Sequence, residues 1–225
     1  MNKIMKALII LLSLFLLSCN NKNKSEKSLK YKKSEYNINV NKNEPKFIKP
    51  ENNLENLEKI IPDTTINYKL FLSTNYNITR FYPDEINTIE KIRETPVAVF
   101  SNNKESEYLI AFHYEGSQKN SFDCFEVGYL KDDIILSKTN IYKTSEKNFI
   151  TENKIQLNIS FEELINLKGN NFTKKEIKDS IILTYRNDNF DTSPFLKRYN
   201  MPSYFYEFTL IKNKVVKFKF GFDYP

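Results

Sequence analysis

The chain of 225 residues carries 34 Lys and Arg against 28 Asp and Glu, so its formal net charge is +6. With one histidine and two cysteines, the composition disfavours a His-rich or Cys-rich metal site and a disulfide scaffold. Hydrophobic residues make up 40% of the chain, which is enough for a buried core and argues against full disorder.

The first eighteen residues have the pattern of a secretory signal peptide. Lys3 and Lys6 give a short positive start, and residues 7–17 form an apolar run that only Ser13 interrupts. That run is about half of the roughly 20 residues that a membrane-spanning helix needs. We therefore predict that residues 1–18 are a signal peptide and not part of the mature fold.

The segment Leu16-Leu17-Ser18-Cys19 closes this run with an apolar residue, a tolerant position, a small residue and a cysteine. In this segment the chain resembles bacterial lipoprotein precursors. The resemblance implies cleavage between Ser18 and Cys19, with a diacylglycerol on the Cys19 thiol, whose thiolate is the nucleophile. Two or three acyl chains would anchor the protein stably in a membrane. The alternative is an ordinary cleaved signal followed by a chance cysteine.

Residues 19–60 are predicted to be the lipidated cysteine and a flexible tether, because their composition is poor in apolar residues. Residues 20–49 hold nine lysines and three glutamates. Two further lysines lie in the signal peptide, which leaves 23 basic and 25 acidic residues from residue 50 onward. The globular part is therefore slightly acidic. The tether lysines would suit anionic headgroups, or they are simply the solvated side chains of a spacer. The abundance of Asn, Lys and Ile resembles lipoproteins of the Bacteroidetes group.

Residues 61–225 are predicted to form one β-rich domain of the α+β class, mainly antiparallel sheet with one or two short helices. A division into sub-halves 61–145 and 146–225 is the alternative. The elements expected in the first half are strands at 67–73 and 77–82, one or two helical turns within 85–93, a hairpin of 96–101 with 107–114, and a strand at 121–130.

Sequence signals for secondary structure are clearer in the second half of the domain. Ser160 and Glu163 have the spacing of a capping box, and Gly169 stands where a helix would end. A strand at 180–186 follows, and then a hairpin of 204–211 with 215–222. Apolar and charged residues alternate in its last strand, which predicts one core face and one solvent face. The core face would hold Val216, Phe218, Phe220 and Phe222, and the solvent face Lys217 and Lys219.

The stretch Ile159-Ser160-Phe161-Glu162-Glu163-Leu164-Ile165-Asn166-Leu167-Lys168-Gly169 is similar to the helix motif of small outer-membrane-assembly lipoproteins of the SmpA/OmlA type. In those proteins a Gly-x-Ser/Thr sequence opens the helix, whereas Asn158 stands in the glycine position here. The resemblance covers 159–222 and implies a helix followed by a three-stranded antiparallel sheet.

Few residues are candidates for a catalytic or metal-binding role. His113 is predicted to be a half-exposed strand residue, since no Gly-x-Ser-x-Gly elbow is present to make it a general base. Cys124 is predicted to be a small buried side chain. Residues 188–191 lack the glycine and the glutamate of an EF-hand, and we expect an Asx turn there. The sequence therefore predicts no catalytic residue, no metal ligand and no cofactor.

One segment has the composition of an interaction surface. Tyr and Met are favoured at interfaces, so Tyr199, Met201 and Tyr204 are candidate contact residues; the alternative is a strand that enters the core after a proline-marked turn. The lysines of 212–219 alternate with aromatic residues as core and solvent faces do, which argues against a nucleic-acid partner.

The sequence as a whole predicts an exported lipoprotein of the cell envelope that binds the membrane through the lipid on Cys19. Asn20 after the cysteine, in place of Asp, resembles the default pattern for sorting to the outer membrane. The expected role is a binding or envelope-assembly module for a protein, glycan or lipid. The alternatives are an envelope hydrolase, which needs a cleft around His113, and a protective or immunity-type lipoprotein, which needs a flat charged or aromatic face.

Overall fold

A computed structural model describes residues 60–84, 86, 90–92, 95–133, 136 and 140–223. The predicted signal peptide, the cleavage site at Ser18 and Cys19, and the tether up to residue 59 lie outside the described residues. Within them, none of the helices is long and apolar enough to span a membrane.

The domain is mainly antiparallel β-sheet with short helices, as the sequence predicts. In chain order the strands are β1 (Thr65–Ile66), β2 (Leu70–Phe71), β3 (Glu90–Ile92), β4 (Thr95–Ser101), β5 (Glu107–Phe112), β6 (Cys124–Tyr129), β7 (Tyr142–Lys143), β8 (Thr173–Ile177), β9 (Ser180–Asn187), β10 (Tyr204–Ile211) and β11 (Lys214–Phe222). The described helices are α1 (Ile78–Phe81), α2 (Phe161–Lys168) and α3 (Pro194–Tyr199), with a 3-10 turn at Leu130–Asp132.

One sheet runs through both parts of the chain. Its strand order is β3-β4-β5-β6-β11-β10-β9-β8, with antiparallel neighbours throughout, and β7 pairs parallel with β4. The link between the early and late strands is the β6–β11 pair, in which Phe125 lies opposite Phe220. The sub-halves 61–145 and 146–225 therefore share a sheet.

The main core covers one face of this sheet along most of its width. Inward-facing aromatic residues of β10 and β11, such as Tyr206, Phe208 and Phe220, are buried there. The segments that cover them carry buried apolar side chains of their own, including Phe149 and, on α2, Leu164. Burial of such side chains supplies most of the free energy of folding.

Helix α2 begins and ends as predicted. The Ser160 hydroxyl accepts from the Glu163 amide at 3.1 Å, and a Glu163 carboxylate oxygen accepts from the Ser160 amide at 2.6 Å. Gly169 follows the last turn with φ of 78°, a conformation that favours glycine. The three strands expected after it, β9, β10 and β11, lie side by side and antiparallel.

Two predicted elements in the first half are wrong. Residues 78–81 are helical and not a strand, because a left-handed Asn77 turns the chain into one short turn of helix. Residues 90–92 are strand β3, paired with β4, and not part of a helix. The rest of 85–93 lies mostly outside the described residues.

The predicted face of β11 is wrong at one residue. A β-bulge shifts the register so that Thr209 lies opposite Lys217 while Leu210 lies opposite Val215. The extra residue is Val216, which is half-buried, and Val215 takes its place in the core.

A buried ion pair fixes the segment that enters the domain. Lys168, at the end of α2, places its Nζ 2.5 Å from Asp63 Oδ2, and both side chains are at most 1% exposed. The same ammonium donates to the Ile61 carbonyl at 2.7 Å and lies 4.8 Å from the centre of the Tyr206 ring. Burial lowers the pKa of Lys168, and the Asp63 carboxylate opposes that shift.

The remaining polar groups of Asp63 are also satisfied. Its Oδ1 accepts from the backbone and side chain of Asn153, at 3.1 and 2.8 Å. Its amide donates to the Tyr204 hydroxyl at 2.9 Å, and that hydroxyl donates to its carbonyl at 2.8 Å. Glu152 accepts from the amides of Thr64 and Thr65 at 2.5 and 2.9 Å. We call Asp63, Glu152, Asn153, Lys168 and Tyr204 the clasp.

Replacing Lys168 by Met is expected to lower the free energy of unfolding by about 3–5 kcal/mol, because the Asp63 carboxylate would stay buried without its counter-charge. Lys197→Met on the exposed side of α3 is the control and should change it by less than about 0.5 kcal/mol. Urea unfolding followed by circular dichroism measures both. Equal stability of the two variants would contradict this role of the clasp.

Candidate functional site

The second face of the sheet is covered over one half and open over the other. Across β4, β5 and β6 the side chains on this face are buried in a second cluster that includes Val99, Ile110 and Cys124. The Tyr108 ring lies over Gly128, where a Cβ would come within 2.6 Å of it. Its hydroxyl donates to Glu126 at 3.0 Å. This half of the face is closed.

The open half lies across β8 to β11, and we call it the open face. None of its side chains from the following positions is buried: Thr173, Lys175, Ile177, Ser180, Ile182, Thr184, Arg186, Phe205, Glu207, Thr209, Ile211, Lys217 and Lys219. Pleating sets this group apart, since the intervening β10 residues face the core. The register places them in rows across the strands, one of which aligns Thr184, Glu207 and Lys219.

The boundary between the two halves is occupied by a lysine held over aromatic rings. The Nζ of Lys219 lies 4.4 Å from the centre of the Phe112 ring and 5.8 Å from that of Phe205. Attraction between a cation and an aromatic face favours this position. Lys219 lies opposite Glu126 of β6, so positive charge meets negative charge where the covered half ends.

At the far corner of the open face, Arg186 is held by two acids. Its guanidinium lies 2.8 Å from Asp188 and 2.6 Å from Asp223. These groups raise the pKa of Arg186, Asp223 most strongly. The open face is therefore mainly polar, and toward its other end it carries Lys175 and Lys217, for which no ion pair is found among the described residues.

The predicted contact residues Tyr199, Met201 and Tyr204 do not form an exposed patch. Tyr204 is fully buried, so the prediction is wrong for this residue; it faces the core as the first inward residue of β10. Tyr199 and Met201 are half-buried and pack against the core, with the Tyr199 ring 5.0 Å from that of Phe222.

His113 is half-buried, as predicted, at the end of β5. Its Nδ1 lies 2.8 Å from the Ser121 carbonyl oxygen, which fixes the proton on that nitrogen. Two nearby serines, Ser73 and Ser117, donate to Asp123 and not to His113. The hydroxyl, imidazole and carboxylate of a hydrolytic triad are therefore not connected here.

A turn and a pocket are the two further candidates for a chemical role. The Asx turn expected within 188–191 begins one residue earlier, since Asn187 Oδ1 accepts from the Asn189 amide at 3.2 Å. A shallow pocket of about 200 Å³ is lined by Ser101, Glu105, Leu130, Ile141 and Lys143. In the part of the chain that the structure describes, no three His, Cys, Asp or Glu side chains are grouped to hold a metal ion.

Cys124 is fully buried, as predicted. Burial raises the pKa of its thiol to about 12. In a Cys19→Ala background we expect a water-soluble thiol reagent to leave Cys124 unmodified until urea unfolds the protein. Ser180→Cys on the open face is the positive control and should react at the rate of a free thiol. Fast labelling of native Cys124 would contradict its isolation.

Comparison with protein-family models, with curated proteins and with the solved structures finds no match to this chain.

Proposed function

We propose that the protein is an exported lipoprotein, cleaved before Cys19 and acylated there, whose domain binds an envelope partner through the open face. The sequence Leu16-Leu17-Ser18-Cys19 after an apolar run supports the anchor. The observation that carries the binding role is the open face itself, because thirteen side chains on four adjacent strands are exposed or half-buried while the neighbouring half of the same face is buried.

The chemistry of the open face favours recognition of a flat, polar partner surface. One row aligns the hydroxyl of Thr184, the carboxylate of Glu207 and the ammonium of Lys219, and the half-buried Ile182 offers a small apolar contact. Non-obligate interfaces are only about as apolar as the rest of a protein surface, so a largely polar face can serve as one. The outer membrane is the proposed location, and the partner is a component of the envelope.

A protective or immunity-type lipoprotein is the second candidate. Such a protein would present a flat charged or aromatic face in place of a cleft, and the charged side chains of the open face, such as Arg186, Glu207 and Lys217, support this candidate. The two candidates differ in the partner and share the anchor and the surface.

Metabolic labelling with a clickable fatty acid tests the anchor. The wild type should incorporate the label, and Cys19→Ala should lose it, because the acceptor thiol is gone. Cys124→Ser is the matched control and should label like the wild type. Unchanged labelling of Cys19→Ala would contradict acylation at this residue.

Site-specific photocrosslinking in intact envelopes tests the binding surface. A photoreactive residue at Thr209, in the middle of the open face, should give one dominant adduct. The same residue at the exposed Thr192, in the turn before α3, should not give it. Glu207→Lys beside the probe should reduce the adduct several-fold. Equal adducts at both positions would contradict binding through the open face.

A further inference from the structure

Two hairpin turns bring exposed apolar side chains together at one end of the open face. Ile177 at the end of β8 and Ile211 at the end of β10 both lie opposite Ser180 of β9. Strands two positions apart are separated by about 10 Å, and side chains in the same register share a face. Each isoleucine is 40% exposed, the largest exposure of any aliphatic strand residue described.

Lysines surround this apolar pair. The segments 173–180 and 211–217 hold six lysines and two acidic residues, whereas the chain from residue 50 onward is slightly acidic. Lys174 pairs with Glu176 at 2.6 Å. Lys175, Lys178 and Lys212 are exposed and have no ion-pair partner among the described residues. We call Ile177, Ile211 and these three lysines the basic tip.

The composition of the basic tip suits a membrane surface better than a protein. A protein interface of standard size involves roughly 20–30 residues a side, far more than two hairpin turns supply. An anionic bilayer surface needs only clustered ammonium groups, and it accepts isolated aliphatic side chains at the headgroup level. Lysine stems can lie along the apolar layer while their charges stay in water.

We infer that the basic tip docks on anionic phospholipid headgroups of the membrane that holds the lipid anchor. This inference rests on the proposed function, because acylation at Cys19 would hold the domain close to the membrane. The docked domain would stand with the β8–β9 and β10–β11 turns against the bilayer.

The length of chain before the domain allows this contact. The chain enters at the clasp, beside Tyr204 at the start of β10, whereas Ile211 ends that strand about 25 Å away. The forty residues 20–59 can bridge at most about 130 Å, so the chain is long enough for both the anchor and the tip to reach one membrane. Attachment at Cys19 would then give the tip a high effective concentration at the surface, so weak contacts suffice.

A fluorescent probe at the tip tests the inference in the mature, acylated protein. Ser180→Cys carries an environment-sensitive dye, since Cys124 is buried and Cys19 is acylated. The protein is reconstituted into vesicles of phosphatidylcholine alone or of phosphatidylcholine with phosphatidylglycerol. We expect a blue-shifted emission only with phosphatidylglycerol, reversed by high salt because the attraction is screened. The same dye on Thr192→Cys should not shift.

Charge-matched variants locate the contact. The triple change of Lys175, Lys178 and Lys212 to Gln should reduce the docked fraction by at least tenfold, because each lysine near an anionic surface contributes about a factor of five. The control changes Lys119, Lys154 and Lys197 to Gln; all three are exposed, and they lie toward the opposite end of the strands. This control has the same net charge and should keep the wild-type shift.

Three results would overturn the inference: no shift with phosphatidylglycerol, an equal shift in both vesicles, or equal loss in both triple variants. A crosslink from position 180 to an acidic protein in envelopes, without a shift in vesicles, would assign the tip to that protein instead. Failure of the proposed acylation can be distinguished from failure of the tip contact. A protein without acyl chains would not float with phosphatidylcholine vesicles. Flotation with phosphatidylglycerol vesicles would then measure the tip directly, and absence of flotation would overturn the inference.

Discussion

The architecture depends on one buried charge pair, between Asp63 and Lys168. Two ions withdrawn from water cost several kcal/mol each unless their remaining hydrogen-bonding groups are satisfied. Here the carboxylate has partners on both oxygens, and the ammonium has a carboxylate, a carbonyl and an aromatic ring around it. Such a pair specifies geometry more than it adds stability, because any displacement of the entering segment leaves a charge unpaired.

The pair also explains why the two faces of the sheet differ. The segment that begins at Ile60 is held on the core face together with α2, so the apolar residues there are covered. Among the described residues, the buried cluster on the other face lies across β4 to β6. Polar side chains on alternate residues make the exposure of the open face tolerable in water. Lysines along β8, at the free edge of the sheet, also disfavour pairing with another chain.

Local signals in the sequence account for the elements that were predicted correctly. The capping box of α2 and the alternation of β10 are each readable within a few residues. Helix α3 had signals too, since Ser193 caps it, Pro194 is its first residue and a left-handed Asn200 ends it. The aromatic composition of 199–206 is also typical of an interface, so composition alone does not separate a capped helix and a core strand from a surface. The bulge at Val216 has no glycine or proline to mark it, so alternation alone placed the wrong valine inward.

The site features depend on contacts that no local pattern contains. Asp63 and Lys168 are 105 residues apart, and each by itself reads as an ordinary surface charge. The open face and the basic tip require the strand order, because Ile177 and Ile211 become neighbours only when β8 and β10 flank β9. The basic tip is also invisible in the overall charge, which the lysines before residue 50 dominate.

The clasp has a mechanical consequence for any load applied to the chain that leads into the domain. Force applied to the chain before residue 60 would reach the hydrogen-bonded carbonyls of Ile61 and Pro62 and then Asp63, which is bonded to α2, to Asn153 and to β10. Those bonds would have to break together, whereas a load on a terminal edge strand peels hydrogen bonds one by one. A load on the entering segment is thus shared among several bonds, and part of it passes through Tyr204 to the main sheet.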